Sequence, residues 1–127
     1  MTEEVIIVER SGQALMDLVL AFRGTPYEIT AVESDRPLQA ATRVAPRHPA
    51  AIVVALEGTE NVVEVRGMLD AAEPSRVLFL VPAMPPRPAM ARIVNDRSGA
   101  ILARGESPLV VVSTLVSLVA QRSGIEG

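Results

Sequence analysis

The 127-residue sequence contains no cysteine, no lysine and no tryptophan. Without cysteine, the chain has no disulfide scaffold, no thiolate nucleophile and no cysteine metal site. All twelve basic residues are arginine, so the chain has no lysine-dependent chemistry. Aromatic residues make up only 2% of the chain, which argues against a stacking platform for single-stranded nucleic acid.

The chain also lacks the positive charge that favours nucleic acid and the long hydrophobic runs of a signal peptide or a membrane span. Its formal net charge is −3, so we expect no attraction to nucleic acid. The amino-terminal segment MTEEVIIVER is acidic, and its apolar run is too short for a signal peptide. The apolar tract Leu109–Ala120 is interrupted by serine and threonine and is too short to span a bilayer. The sequence therefore predicts a cytoplasmic protein without a membrane partner.

What remains is an aliphatic, single-domain composition. Hydrophobic residues make up 49% of the chain, so Ala, Val, Leu, Ile and Met must fill the core. The single histidine, His48, lies between Arg47 and Pro49 in a predicted loop. One histidine without nearby carboxylates is a poor metal site, so we expect an exposed loop residue and no metal.

Strand and helix patterns alternate along the whole sequence. Apolar runs predict five strands, over Glu4–Val8, Tyr27–Val32, Ala50–Leu56, Arg76–Val81 and Ala100–Ala103. Helical spacing predicts helices over about 12–23, 60–72, 89–96 and 107–121. Another helix is predicted after the second strand, with Ser34 or Asp35 as its N-terminal cap and Pro37 in its first turn. Strict alternation implies parallel strands with right-handed crossovers. We expect one domain over residues 1–122 and a tail over 123–127.

Four local stretches occur in an order known from one family. They are VIIVERSG on the first strand, HPAAIVVAL on the third, SGAIL before the fifth, and SPLVVVSTLVSLV on the last helix. In order and spacing they resemble the receiver domain of bacterial response regulators. The resemblance implies a flavodoxin-like (CheY-like) α/β fold, with a five-stranded parallel sheet and helices on both faces.

The resemblance also implies that the residues for phosphoryl transfer are missing. An active receiver holds a divalent metal with acidic residues after its first strand, but here the matching positions are Glu9 and Arg10. The phosphorylated aspartate at the end of the third strand is matched by Ala55, which has no nucleophile. A lone carboxylate beside an arginine is a poor ligand set for Mg²⁺.

The two phosphoryl-binding positions of the family have changed as well. The hydroxyl after the fourth strand is matched by Val81, or by Pro82 if the register slips by one residue. The lysine after the fifth strand falls near Arg104 or Gly105. The resemblance therefore implies a pseudoreceiver with a degenerate phosphorylation site, no catalytic residue, no metal and no cofactor.

Glu57 lies two residues after Ala55 and has two interpretations. It is a fixed negative charge that mimics phosphorylation, paired with Arg10 or Arg104, or it is a solvated loop carboxylate. The proline-rich segment Pro82–Pro88 similarly indicates either a constitutive, unswitched surface or a plain rigid connector.

The last helix has a wide apolar surface, because it has no charged residue between Glu106 and Arg122. We expect an interface that includes Val110, Val111, Leu115 and Leu118, and a homodimer formed through it. The alternative is a deeply packed helix.

The leading functional prediction is a phosphorylation-independent signalling module that acts through a protein partner, in bacterial two-component-type regulation. The alternative is a small-molecule or anion binder that uses the crevice at the carboxyl ends of the strands, with Arg10, Arg104 and the backbone of 57–59 as contacts. The sequence contains no Ser-His-Asp arrangement and no paired carboxylates, so we do not expect an enzyme.

Overall fold

The computed structural model of the chain describes residues 3–82, 84, 86–97 and 99–126. Strands and helices alternate, with a short 3₁₀ turn at Ala45–Arg47 after the second helix. In chain order the elements are β1 Glu4–Glu9, α1 Gly12–Ala21, β2 Glu28–Glu33, α2 Pro37–Val44, β3 Ala51–Ala55, α3 Val62–Ala72, β4 Arg76–Val81, α4 Pro88–Asp96, β5 Ala100–Ala103 and α5 Pro108–Glu126.

The five strands form one parallel sheet in the order β2-β1-β3-β4-β5. This is the flavodoxin-like order, and it confirms the predicted fold class. The central strands β1, β3 and β4 are buried on both faces, as their continuous apolar runs predict. Strand order reverses direction next to β1, so the crevice outside the carboxyl ends of β1 and β3 is where such folds bind ligands.

The two faces of the sheet carry separate hydrophobic cores. One core packs α2, α3 and α4 against side chains such as Ile52 and Phe79. The other packs α1 and α5 against side chains such as Val53 and Leu78. Because neighbouring residues of a strand point to opposite faces, each central strand contributes to both cores.

Two helix boundaries differ from the sequence prediction. Helix α2 begins after Arg36, so the predicted cap at Ser34 or Asp35 is wrong. The Ser34 hydroxyl instead accepts a hydrogen bond from the backbone N–H of Arg36 at 3.1 Å, within the turn that precedes the helix. Helix α5 continues to Glu126, beyond the predicted end at Gln121, so much of the expected tail extends this helix. The division into a domain over 1–122 and a tail over 123–127 stays a prediction, and Gly127 lies outside the described residues.

Candidate functional site

Residues at and just after the carboxyl ends of β1, β3, β4 and β5 meet along one edge of the sheet, which we call the carboxyl edge. Glu9 is the last residue of β1, and its neighbour on β3 is Ala55, since Val8 pairs with Val54. Val81 ends β4, and Arg104 follows β5. Parallel pairing therefore brings together Glu9, Ala55, Val81 and Arg104, four of the positions expected for a degenerate phosphorylation site.

Glu9 is a buried carboxylate, only 2% exposed, whose charge is compensated locally. Its Oε1 accepts hydrogen bonds from the backbone N–H of Arg10 at 2.9 Å and of Ser11 at 3.1 Å. The same oxygen accepts a third bond, from Arg104 Nη2, at 2.8 Å. Ser11 also caps α1, because its hydroxyl accepts from the Ala14 N–H. The start of α1 therefore fixes the donors that hold Glu9.

Arg104 reaches from the end of β5 to the end of β1. Its backbone N–H donates to the Val81 carbonyl at 2.8 Å, which anchors the residue beside β4. Besides the ion pair with Glu9, its Nη1 lies 3.4 Å from the Leu56 carbonyl oxygen. The guanidinium thus contacts groups at or just after the ends of β1 and β3.

A second ion pair lies farther out on the same edge. Arg10 Nη1 is 2.8 Å from Glu57 Oε1, and Arg10 Nε is 4.0 Å from Asp35. Of the two partners considered for Glu57, the structure therefore selects Arg10. The Arg10 side chain is 61% exposed, so solvent screens this pair more than the one between Glu9 and Arg104.

The two residues that the resemblance matches to the acceptor and hydroxyl positions, Ala55 and Val81, carry no polar side chain. Ala55 is 1% exposed and packs in the core on the α1 and α5 side of the sheet. Val81 is 4% exposed and packs on the opposite side. Both side chains are hydrocarbon, so neither accepts a phosphoryl group or hydrogen-bonds one.

Glu60 is a feature of this edge that the sequence reasoning missed. Its Oε2 accepts from the Glu57 N–H and its Oε1 from the Gly58 N–H, both at 2.8 Å. Those two amides belong to the backbone segment 57–59, which is one of the predicted anion contacts. Glu60 binds two N–H groups of this segment, and Arg10 and Arg104 are in ion pairs, so carboxylates of the chain already occupy most of the predicted anion contacts.

The β3–α3 loop also touches the segment after β4. Gly58 has a φ of +98°, a conformation that side chains disfavour. A Cβ at this position would lie 3.0 Å from Cγ of Pro82. The loop therefore turns at a glycine and rests against a proline ring.

An apolar cleft lies next to this contact, between the start of α3 and the start of α4, and we call it the α3–α4 cleft. It has a volume of about 140 Å³. Its apolar lining consists of Leu56, Val62, Val65, Val81, Pro82, Pro86 and Met90. Arg87 and Glu60 are among its polar lining residues. Pro85 of the proline-rich segment lies outside the described residues.

The predicted interface on α5 needs correction. Val111, Leu115 and Leu118 are buried against the sheet and α1, because positions 111, 115, 118 and 119 form the inward stripe of the helix. Only Val110 of the four predicted residues is exposed, at 39%. Over residues 108–121 of α5, whose side chains the structure describes, the large apolar side chains that are exposed are those of Leu109, Val110 and Val116.

Two further observations concern the described part of the chain. Those residues contain no group of three or more histidine and carboxylate side chains arranged to hold a metal ion. None of the helices in that part is long and apolar enough to cross a membrane. His48 is exposed in a loop with a φ of 53°, which confirms the predicted loop position.

The fold is similar to solved structures of receiver domains. A CheY-like response regulator receiver domain protein from Methanospirillum hungatei superposes with a TM-score of 0.78, at 8% identity over 100% of both chains. The N-terminal domain of a response regulator/sensory box/GGDEF three-domain protein from Carboxydothermus hydrogenoformans gives 0.71, at 14% identity over 98% of this chain and 100% of that one.

A pilus assembly protein, CpaE, from Caulobacter crescentus has the same fold. Its TM-score is 0.69, at 14% identity over 91% of this chain and 98% of that one. The sequence matches no protein-family model and no curated protein sequence. At these identities the neighbours establish a CheY-like fold.

Proposed function

We propose that the chain is a phosphorylation-independent, receiver-like signalling module that acts through protein–protein contact in bacterial two-component-type regulation. The observation that carries the proposal is the ion pair between Glu9 and Arg104, at an edge where the family resemblance matches Ala55 to the acceptor aspartate. The proposal includes a non-enzymatic role in the cytoplasm.

Charge balance at the carboxyl edge supports a site that is permanently set. In an active receiver, phosphorylation adds negative charge that recruits basic and hydroxyl side chains. Here Arg104 is already bound by Glu9 and Arg10 by Glu57, at 2.8 Å in both cases. Within the proposal, Glu57 is the fixed negative charge, held by Arg10, and the edge has one state.

A phosphodonor assay tests this function. We expect no gain of one phosphoryl group in the intact mass after incubation with acetyl phosphate and Mg²⁺, because Ala55 has no nucleophile. A receiver domain that retains its aspartate is the positive control under the same conditions. A mass increase that the substitution Glu57→Gln or Glu9→Gln abolishes would overturn the proposal.

A thermal-shift experiment tests the missing metal site. A ligand that binds only the native state stabilises it by about 2.7 kcal/mol at a hundredfold excess over its Kd. We expect millimolar Mg²⁺ to change the melting temperature no more than NaCl of the same ionic strength. A saturable increase that Glu9→Gln removes would contradict the proposal.

The protein-contact part of the proposal rests on the outer surface of α5. Leu109 is 70% exposed, and Val110 and Val116 are each 39% exposed, on a helix without charge from Ser107 to Gln121. We propose that this surface, with Val110 retained from the sequence prediction, is where a second copy of the chain or a signalling partner binds.

Sedimentation velocity tests self-association. We expect a dimer for the unmodified chain and a folded monomer for Val116→Arg, because a charge on the paired surface must lose its hydration. Val63→Arg is the matched control, since Val63 is exposed on α3, across the sheet from α5. A monomeric unmodified chain at high concentration would contradict the dimer.

A further inference from the structure

The α3–α4 cleft has walls that the fold holds in place. Leu56, Val65 and Val81 are at most 4% exposed, and they project from the end of β3, from α3 and from the end of β4. Val62 and Met90, in the first turns of α3 and α4, form the outer walls. Because Leu56, Val65 and Val81 belong to the core, the base of the cleft is preformed and consists of hydrocarbon.

The size of the cleft indicates the size of its occupant. Its volume of about 140 Å³ is close to that of an apolar protein cavity, about 150 Å³, that binds benzene. A phenyl ring or a branched alkyl group of about six carbons therefore fits. Water is a poor occupant of the hydrocarbon base of the cleft, because a bound water needs several polar partners.

Two charged side chains line the cleft, Arg87 and Glu60, and they differ in how they are bound. The Arg87 side chain is exposed, and its Nη2 lies 3.5 Å from the Gly58 carbonyl oxygen, a long contact. Among the described residues, Arg87 forms no ion pair, in contrast to Arg10 and Arg104. The nearby Glu60 carboxylate is already bound by two backbone amides. A planar guanidinium with free donors matches a carboxylate in geometry and charge.

We propose that the α3–α4 cleft binds a small monocarboxylate with an apolar body, such as an aryl or branched-alkyl carboxylic acid. The apolar body fills the space between Val62, Val65 and Met90, and the carboxylate accepts hydrogen bonds from Arg87. This site gives a position and a ligand class to the small-molecule alternative, and apart from Val81 its residues differ from those of the degenerate phosphorylation site. It does not depend on the response to phosphodonors.

Methyl NMR during a titration with 3-phenylpropanoate tests the site. We expect saturable shifts of the Val62, Val65, Val81 and Met90 methyl groups. Propanoate, whose apolar part is only an ethyl group, should produce none at the same concentrations. The neutral 3-phenylpropanamide should bind about tenfold more weakly, because it lacks the charge-assisted hydrogen bonds. The absence of saturable shifts with the acid, or shifts confined to residues outside the cleft, would overturn the proposal.

Three variants separate the charge from the cavity. Arg87→Gln should bind the acid as weakly as the amide, whereas Arg92→Gln, a matched change on the same helix, should keep the tenfold preference. Val62→Phe should fill the cleft and lose both ligands, with an otherwise unchanged spectrum that shows an intact fold. A preference for the acid that survives Arg87→Gln would sink the assignment of the carboxylate to that residue. A negative phosphodonor assay together with no binding here would leave the signalling proposal standing and remove this one.

Discussion

The carboxyl edge divides into two halves with opposite chemistry. The charged half contains the ion pair of Glu9 and Arg104, which joins the end of β1 to the residue after β5 across the ends of β3 and β4, and the outer pair of Arg10 and Glu57. The apolar half, near the ends of β3 and β4, leads into the α3–α4 cleft. In the charged half each of these side chains has a partner within the chain, whereas the apolar half keeps an open volume.

The two halves contribute differently to the position of the loops and to the free energy of folding. Ion pairs in the charged half fix the positions of loops, but desolvation offsets much of their Coulomb energy. Buried side chains in the apolar half lose contact with water on folding and gain close packing, so they carry more of the free energy of folding. Substitutions in the two halves should therefore differ in magnitude and in their response to salt.

The largest effect should come from the apolar half. Leu56→Ala removes a side chain that is 2% exposed and should lower the free energy of unfolding by about 2–5 kcal/mol. It also widens the cleft. Urea denaturation measures the change, with Leu109→Ala, which is 70% exposed, as a control that should stay within about 0.5 kcal/mol. Equal effects of the two substitutions would break the comparison.

In the charged half, the inner pair should have an intermediate effect. Glu9→Gln keeps the shape of the side chain but removes the charge that three N–H donors share, so we expect a loss of about 1–3 kcal/mol in denaturant unfolding. Glu28→Gln, at an exposed position of the edge strand β2, is the control. A cycle with Arg104→Gln should reveal coupling between Glu9 and Arg104, and additive changes would show that the pair contributes no specific energy.

The boundary between the halves contains a helix cap. Asn61 Oδ1 accepts from the Glu64 N–H at 2.8 Å, and Asn61 also lines the cleft. Asn61→Ala should destabilise the protein by about 1 kcal/mol through loss of this cap, while Asn61→Ser should restore most of it. Thermal unfolding of both variants provides the check, and equal losses would assign the effect to something other than the cap.

The smallest effect is expected for the outer pair. Arg10→Gln should change stability by at most about 1 kcal/mol at low salt, because both partners contact solvent. The difference should shrink further in high salt. Measuring Arg10→Gln and Glu9→Gln at low and high NaCl sharpens the comparison, since only the inner pair should retain its effect. A salt-insensitive Arg10→Gln would show that the outer pair is more shielded than its exposure indicates.

Local sequence patterns predicted the fold because its signals are local. Each of the apolar runs of β1, β3 and β4, and likewise the Ser-Pro start of α5, is a pattern of a few neighbouring residues. The strands Arg76–Val81 and Ala100–Ala103 have the predicted bounds. The Ser107 hydroxyl accepts from the Leu109 N–H at 3.2 Å, so it caps α5 at the predicted start of that helix. The predicted N-terminal cap of α2 was wrong because the chain makes one more turn before the helix, between Ser34 and Arg36.

The site was harder to predict because its contacts are distant in sequence. Glu9 and Arg104 are 95 positions apart, so their pairing follows only from the strand order. The Glu60 carboxylate accepts hydrogen bonds from the backbone of its own loop, and no residue pattern in the sequence predicts that contact. On α5 the apolar arc was wider than its buried stripe, so sequence alone could not separate the buried Leu115 from the exposed Val116.

The contact between Gly58 and Pro82 has a consequence for how this sequence can evolve. A side chain at position 58 is strained by the backbone and also meets the proline ring, whereas a change at position 82 removes the ring without straining the glycine. We therefore expect substitutions at the two positions to occur in a fixed order. In any lineage that keeps this loop, Pro82 is replaced before Gly58, and Asn or Asp is the first side chain that position 58 then tolerates.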